Sequence, residues 1–247
     1  MTPESNLSGD TCIDVVLPVY NEELQIRPTV ERLINFLTQN VNQKWQIIIA
    51  NNGSIDNTSQ VAQALTIEHQ NVRLINIPEK GRGRALKKVW QESDSQILSY
   101  MDIDLSTDLK HFPSLLDALI CERYDIATGS RLAKGALVNR SFKREFLSRG
   151  YNFLIRTLFR TKFTDAQCGF KAITNQTAKT IIPLIRDNEW FFDTELLIVG
   201  ESIGLQIKDI PVSWNEDSDS RVRIIPTVIR DILGLLRLRF NFPKQPL

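Results

Sequence analysis

The stretch IDVVLPVYNEELQIRPTVERLINFLTQNVNQKWQIIIANNGS, residues 13–54, decides the fold class. Residues 13–19 are a short apolar run closed by Pro18 and Tyr20, and Val30, Leu33, Ile34 and Leu37 then recur at helical spacing. The same strand, turn and helix begin again at residues 45–50. That run is followed by the polar turn Asn51-Asn52-Gly53-Ser54 and by Asp56, an N-cap for the helix carrying Val61, Ala64 and Leu65. Working outward, residues 72–77 and 97–101 read as third and fourth strands with residues 85–91 helical between them. Alternation of this kind predicts an α/β fold: a mostly parallel, Rossmann-like central sheet with helices on both faces, its ligands expected in the turns at the carboxyl ends of the strands. Beyond about residue 130 comes a basic, helix-rich stretch (Arg140, Lys143, Arg144, Arg149, Arg156, Arg160), then a polar segment at 165–170, a helix around 193–203 and a strand at 207–212. No linker, low-complexity tract or repeat divides the chain. The expectation is one domain over 13–223, with halves 13–130 and 131–223, between a polar lead-in at 1–12 and a C-terminal amphipathic helix within 224–247.

The composition excludes several function classes. With 30 basic and 29 acidic residues no whole-molecule field draws the chain to nucleic acid, so none is expected as a partner. Cys12, Cys121 and Cys168 are odd in number, widely spaced and without a CxxC pair, which argues against a disulfide framework and a zinc site and for a reducing compartment. His69 and His111 stand in unrelated contexts, so any metal must take oxygen ligands. Residues 1–10 lack the pattern of a signal peptide, and no run of about 18 apolar residues occurs. A cytoplasmic location follows as the expectation.

The polar turns after the strands carry the chemistry. Asp102-Ile103-Asp104 follows the fourth strand, and in an extended segment residues i and i+2 point the same way, so two carboxylates can converge on Mg²⁺ or Mn²⁺ with diphosphate oxygens and water completing the shell. The bland alternative is a pair of solvated acids ahead of the helix near Phe112. Pro18, Tyr20 and Glu22 offer an aromatic face for a base and a carboxylate for ribose hydroxyls; the alternative is a strand end with acids at a helix start. Asn51 and Asn52 present amides suited to a uracil edge, or simply make an Asn-Gly turn. Residues 79–88, EKGRGRALKK, feed a basic helix start suited to phosphate through Arg82, Arg84 or Lys87, or expose a solvated basic face; they match neither a Walker loop nor the GxGxxG fingerprint.

Taken in order, PVYNE (18–22), NNGSIDNT (51–58), MDIDLSTD (101–108), TGSR (128–131), DAQCGFK (165–171) and FFDTELL (191–197) resemble the family 2 inverting glycosyltransferases of GT-A fold. The last two, with a tryptophan-containing loop at 214–221, look most like the polyprenyl- or dolichyl-phosphate glucosyltransferase branch. The resemblance implies that Pro18, Tyr20, Glu22 and Asn52 contact the nucleoside, that Asp102 and Asp104 bind the metal-diphosphate, and that Arg131 and Arg221 contact phosphate. It implies too that Asp165, Gln167, Asp193 and Glu195 line the sugar and acceptor side. Relatives often carry acids where this chain has Asn51 and Asn52, which leaves the base open.

The expected reaction is metal-assisted, inverting transfer of a hexose, glucose from UDP-glucose, to polyprenyl phosphate. Transfer to a saccharide hydroxyl, with Asp193 or Glu195 as general base, and nucleotide-sugar binding without turnover stand as alternatives. A lipid phosphate, with a second pKa near ~6, needs no base. Residues 226–240 place Val228, Ile229, Ile232, Leu233, Leu235 and Leu236 at helical spacing among Arg230, Arg237 and Arg239, with Arg221 and Arg223 upstream; this suits peripheral contact with a membrane face or packing on the domain.

Overall fold

The computed structural model describes residues 11–215 and 224–241. In the first half β1 (Cys12–Val19), α1 (Ile26–Asn40), β2 (Lys44–Asn52), α2 (Thr58–Glu68), β3 (Val72–Ile77), α3 (Arg82–Glu92) and β4 (Ile97–Met101) alternate as the sequence predicts. β2 and β3 lie on one side of β1 and β4 on the other, all parallel, so the strand order reverses between β1 and β4. The turns that follow these two strands, at Tyr20 and Asp102, therefore flank the crevice that an open α/β sheet leaves at such a reversal.

The second half adds α4 (Phe112–Ile120), β5 (Ile126–Ser130), β6 (Leu137–Asn139), α5 (Phe142–Phe159), β7 (Phe170–Thr174), α6 (Asn175–Ile181), α7 (Phe192–Ser202), β8 (Ile207–Pro211), β9 (Ser213–Asn215) and α8 (Ile224–Phe240). The full sheet has seven strands in the order β3-β2-β1-β4-β7-β5-β8, with β7 antiparallel to both β4 and β5. The fold is thus α/β with a mostly parallel sheet. Strands β5 and β7 escape the apolar-run reading because close packing demands small residues there: a Cβ on Gly129 would stand 3.0 Å from the Cys168 sulfur and 3.2 Å from a Val212 methyl. β6 and β9 pair separately, and a bridge from Trp214 to Thr107 ties them to the loop after β4.

Burial on both faces explains the continuous apolar runs. Ile13, Val15, Leu17 and Val19 of β1 enter the layer built with α1, α2 and α4, while Val16 enters the layer built with α3, α6 and α7. Asp14 interrupts the run at the end of the sheet opposite the crevice. It is buried, and accepts hydrogen bonds from Gln46 Nε2 (2.7 Å), Ser93 Oγ (2.6 Å) and Ser95 Oγ (2.5 Å), so its charge is met by donors.

Candidate functional site

The turns after β1 and β2 are laced together. Asn21 adopts φ 55° and Gly53 φ 75°; a Cβ on Gly53 would stand 3.0 Å from the Lys80 amide nitrogen, so only glycine fits without strain. The Asn21 amide donates to Ser54 Oγ (2.9 Å), that of Ile55 to Asn21 Oδ1 (2.9 Å) and that of Glu22 to Thr58 Oγ1 (2.7 Å). Asn57 holds the cap position of α2, one residue after the expected Asp56, whose Oδ1 nevertheless accepts from the Thr58 amide at 3.0 Å. Pro18 and Tyr20 are half-buried, and the Lys80 ammonium sits 3.7 Å from the centre of the Tyr20 ring.

The asparagines correct the sequence reading. Both are buried, and their amides serve the protein rather than an open base-reading edge. Asn52 donates through Nδ2 to the Val19 carbonyl (2.7 Å) and accepts through Oδ1 from the Gly81 amide (3.1 Å); Asn51 donates to Asn76 Oδ1 (2.8 Å). Asn52 thereby clamps the end of β1 to the start of α3.

The Asp102–Asp104 segment is also not extended. β4 ends at Met101, Leu105 returns its amide to the Asp102 carbonyl at 3.1 Å, and Leu105 itself adopts φ 48°. Both carboxylates stand in this turn, while the expected donor contact Ile103 faces the core and its carbonyl accepts from Thr29 Oγ1 at 2.9 Å. Gly169 lies directly beneath: a Cβ there would fall 1.8 Å from an Asp102 carboxylate oxygen, so a glycine is required for that carboxylate to occupy its place. Asp102 is part-exposed and Asp104 accepts from the Ser106 amide at 2.9 Å. Two hard oxygen donors at a strand end, with no third His, Cys, Asp or Glu gathered around them among the described residues, suit a hexacoordinate cation whose remaining ligands come from diphosphate and water.

Arg82, expected on phosphate, donates through NH1 to Asp102 Oδ1 at 2.9 Å and pairs through NH2 with Asp193. Its guanidinium also lies 4.6 Å from the centre of the Trp190 ring. Lys87 does not join it. The Lys87 ammonium turns to the carbonyls of Ile185 (3.3 Å) and Arg186 (3.5 Å), and burial lowers its pKa.

On the acceptor side the expected carboxylates are engaged by cations. Asp165 receives Nε (2.7 Å) and NH2 (2.9 Å) of Arg131 in a bidentate fork and also the Arg131 backbone amide (3.1 Å). Burial opposes its charge, but Arg131 prevails and holds the carboxyl down at about 2. Asp193 is fully buried between Arg82, Lys171 (3.0 Å) and the Tyr100 hydroxyl. Burial, with the charge of Asp231 behind it, pushes the Asp193 carboxyl up, and the two flanking cations are what make an ionised form tenable. The same burial pushes the Lys171 ammonium down to about 8. Glu195 accepts from the Asp187 amide (2.7 Å) and pairs with Arg237 of α8 (2.8 Å), so it anchors the last helix. Asp193 and Glu195 thus hold basic side chains in place; neither stands open to a substrate hydroxyl. Gln167 donates to Asp231 Oδ2 at 2.9 Å, whereas Asp231 Oδ1 has no partner among the described residues. Arg221 and Arg223 lie outside the described residues.

This arrangement brings the Tyr20 ring, the Asp102 and Asp104 carboxylates and the arginines Arg82 and Arg131 to the carboxyl ends of the strands. The sequence profile described as Glycosyl transferase family 2 matches residues 14–181. The chain belongs to glycosyl transferase family 2. It is 36% identical over 238 residues to glycosyltransferase AglD of Haloferax volcanii, covering 94% of this chain but 37% of that protein. It is 30% identical to a dolichyl-phosphate beta-glucosyltransferase of Trichomonas vaginalis (92% of this chain, 70% of that one) and 30% identical to one of Dictyostelium discoideum (93% and 74%). This family 2 glycosyltransferase also superposes on glucosyl-3-phosphoglycerate synthase of Mycobacterium tuberculosis, solved with Mn²⁺, UDP-glucose and phosphoglyceric acid, with a TM-score of 0.69 over 96% of this chain and 82% of that one at 18% identity. That likeness confirms the GT-A fold.

Lys171, Trp190, Gly169 and Asp231 have no role that the sequence alone reveals. Lys171 closes the DAQCGFK motif, yet a lysine next to an apolar run reads as an exposed cation until its burial is seen. Asp231 is hidden by α8, whose apolar spacing draws attention to the other residues.

Proposed function

We propose that this glycosyltransferase moves glucose from UDP-glucose to a polyprenyl or dolichyl phosphate with inversion, working peripherally at the cytoplasmic face of a membrane. Relatives named as dolichyl-phosphate beta-glucosyltransferases, aligned over more than nine-tenths of the chain, support glucose as the sugar and a dolichyl-type phosphate as the acceptor class. The observation that carries the reading is the state of the acceptor-side carboxylates. Asp165, Asp193 and Glu195 are each locked to a cation, so none is free to take a proton from an alcohol. A phosphate monoester brings its own anionic oxygen, its second ionisation lying near ~6.

In this reading Pro18, Tyr20 and Glu22 line the nucleoside site, and Asp102 and Asp104 hold a divalent cation. Bound there, Mg²⁺ or Mn²⁺ supplies positive charge to the departing diphosphate. Arg82, already on Asp102, lies where it can also meet diphosphate oxygens, and Arg131, preset by Asp165, faces the acceptor phosphate. A saccharide-hydroxyl acceptor stays in play through one observation: Asp231, whose Oδ1 has no partner among the described residues and whose carboxyl is raised to about 7 by burial, has the attributes of a general base.

The test is label transfer from UDP-glucose, with GDP-mannose in parallel, to polyprenyl phosphate in detergent and to a panel of soluble saccharides. Labelled lipid that requires Mg²⁺ or Mn²⁺ and falls roughly 100-fold or more in Asp104→Ala is expected. Label in saccharides and none in lipid would move the assignment to the hydroxyl acceptor, and UDP-glucose binding without any turnover would move it to a binding protein.

A further inference from the structure

Helix α5 is built inside out. Its buried side carries Ser148, Asn152 and Ile155, while Phe142 (83% exposed), Phe146 (71%), Phe153 (72%), Leu147 and Leu154 face away from the protein. Phe142, Phe146 and Phe153 are spaced at i, i+4 and i+11 and so share one side of the helix. Single exposed apolar residues are ordinary, but three phenylalanines and two leucines on one helix make a contiguous patch that calls for an occupant. The polar buried side is occupied otherwise. Asn152 Oδ1 accepts from the Ala166 amide at 2.9 Å and the Tyr151 hydroxyl meets Thr194 Oγ1 at 3.1 Å, so α5 supports the segment that carries Asp165 and Gln167.

Charge identifies the occupant. Lys143, Arg144, Arg149 and Arg156 lie on α5 against the single acid Glu145, which already pairs with Arg140 and Arg149. α8, packed beside α5, exposes Ile229, Leu233, Leu236 and Phe240 and carries Arg230 and Arg239, besides Arg237 that Glu195 already holds, against one acid of its own, the buried Asp231. These helices are strongly basic in a chain whose charges as a whole nearly cancel. A second copy of the chain on this face would bring arginine against arginine. An anionic lipid leaflet answers both features, taking the phenyl rings among its acyl chains and the cations at its headgroups.

We infer that α5 docks on an anionic membrane surface, with Phe142, Phe146 and Phe153 inserted, and that α8 extends the same contact. The inference rests on the reading of this chain as a peripheral membrane enzyme and names the surface that makes the contact. Docking through α5 sets the Asp165 segment next to the headgroup region, where a lipid phosphate is found.

The experiment is flotation of the full chain with vesicles of phosphatidylcholine alone or mixed with phosphatidylglycerol, none containing prenyl phosphate, so that docking is read apart from acceptor chemistry. Wild type is expected to float with the anionic vesicles, less at high salt, and poorly with the neutral ones. Phe146→Asp/Phe153→Asp should reduce partition about tenfold or more while UDP-glucose binding by calorimetry is kept; Phe146→Ser/Phe153→Ser, with a smaller loss, serves if the double aspartate misfolds. Partition unchanged in both variants overturns the role of α5, as does a wild type that binds no vesicle. A chain that ignores vesicles but is dimeric by light scattering, and monomeric in the variant, would assign the patch to self-association instead. Labelled lipid made in detergent by a chain that never floats would leave the proposed reaction standing and the docking refuted.

Discussion

Around the β1 and β2 turns the crevice is held by neutral hydrogen bonds and tight backbone conformations: Asn21 to Ser54 and Ile55, Asn52 to Val19 and Gly81, Gly53 against Lys80. Around β5, β7 and α7 it is held by buried ion pairs: Arg131 with Asp165, Lys171 and Arg82 with Asp193, Arg237 with Glu195. The contrast fits what the proposed reaction asks of each half. A nucleoside is recognised by shape and by a few polar contacts on a rigid frame, whereas a diphosphate meeting a second phosphate needs cations fixed in advance. Cations can be fixed inside a protein only by countercharges.

Three changes sharpen that contrast. The largest effect is expected from Asp193→Ala, which leaves buried Lys171 without a paired carboxylate and Arg82 with Asp102 alone; the loss should be about 3–5 kcal/mol by urea denaturation at pH 7. A loss under about 1 kcal/mol would mean that the second half does not depend on its buried pair. Next comes Asp231, whose folded pKa of about 7 stands above the ordinary carboxylate value of 3.8, so its contribution to stability is complete below pH 4 and fades as pH rises through 7. Asp231→Asn should therefore raise the thermal midpoint at pH 8 and leave it nearly unchanged at pH 4, a difference on the order of 3 kcal/mol; equal shifts at both pH values would remove the buried titration. The smallest effect belongs to the neutral half. Asn52→Ala leaves the Val19 carbonyl and Gly81 amide unpaired, about 1–3 kcal/mol by the same denaturation, with weaker nucleotide binding as the α3 start loosens. Loss of stability with unchanged UDP affinity would separate the clamp from the site.

The same contrast governs what could be read in advance. β1 to β4 were legible because strands buried on both faces must be apolar runs, and polar turns must follow them. Asp102 and Asp104 were legible as a pair, though the turn at Leu105, not strand alternation, is what presents them. The roles of Asn51 and Asn52 were not, since an amide that reads a base and an amide that clamps a backbone are the same residue until its partners are seen. Asp193 and Glu195 looked like candidate bases because an acidic helix start carries no mark of the arginines and lysine that reach it from α3, β7 and α8. β5 and β7, with Gly129 and Ala172 in their middles, gave no apolar run to follow.

The central claim is that the acceptor supplies its own charge. Its most direct test is the pH dependence of kcat for glucose transfer to polyprenyl phosphate in wild type and Asp231→Asn. One acid limb near ~6, set by the acceptor's second ionisation and the same in both proteins, is the expected result. A limb near 7 that vanishes in Asp231→Asn together with a fall of roughly 100-fold in kcat would place a general base in the protein and contradict the claim.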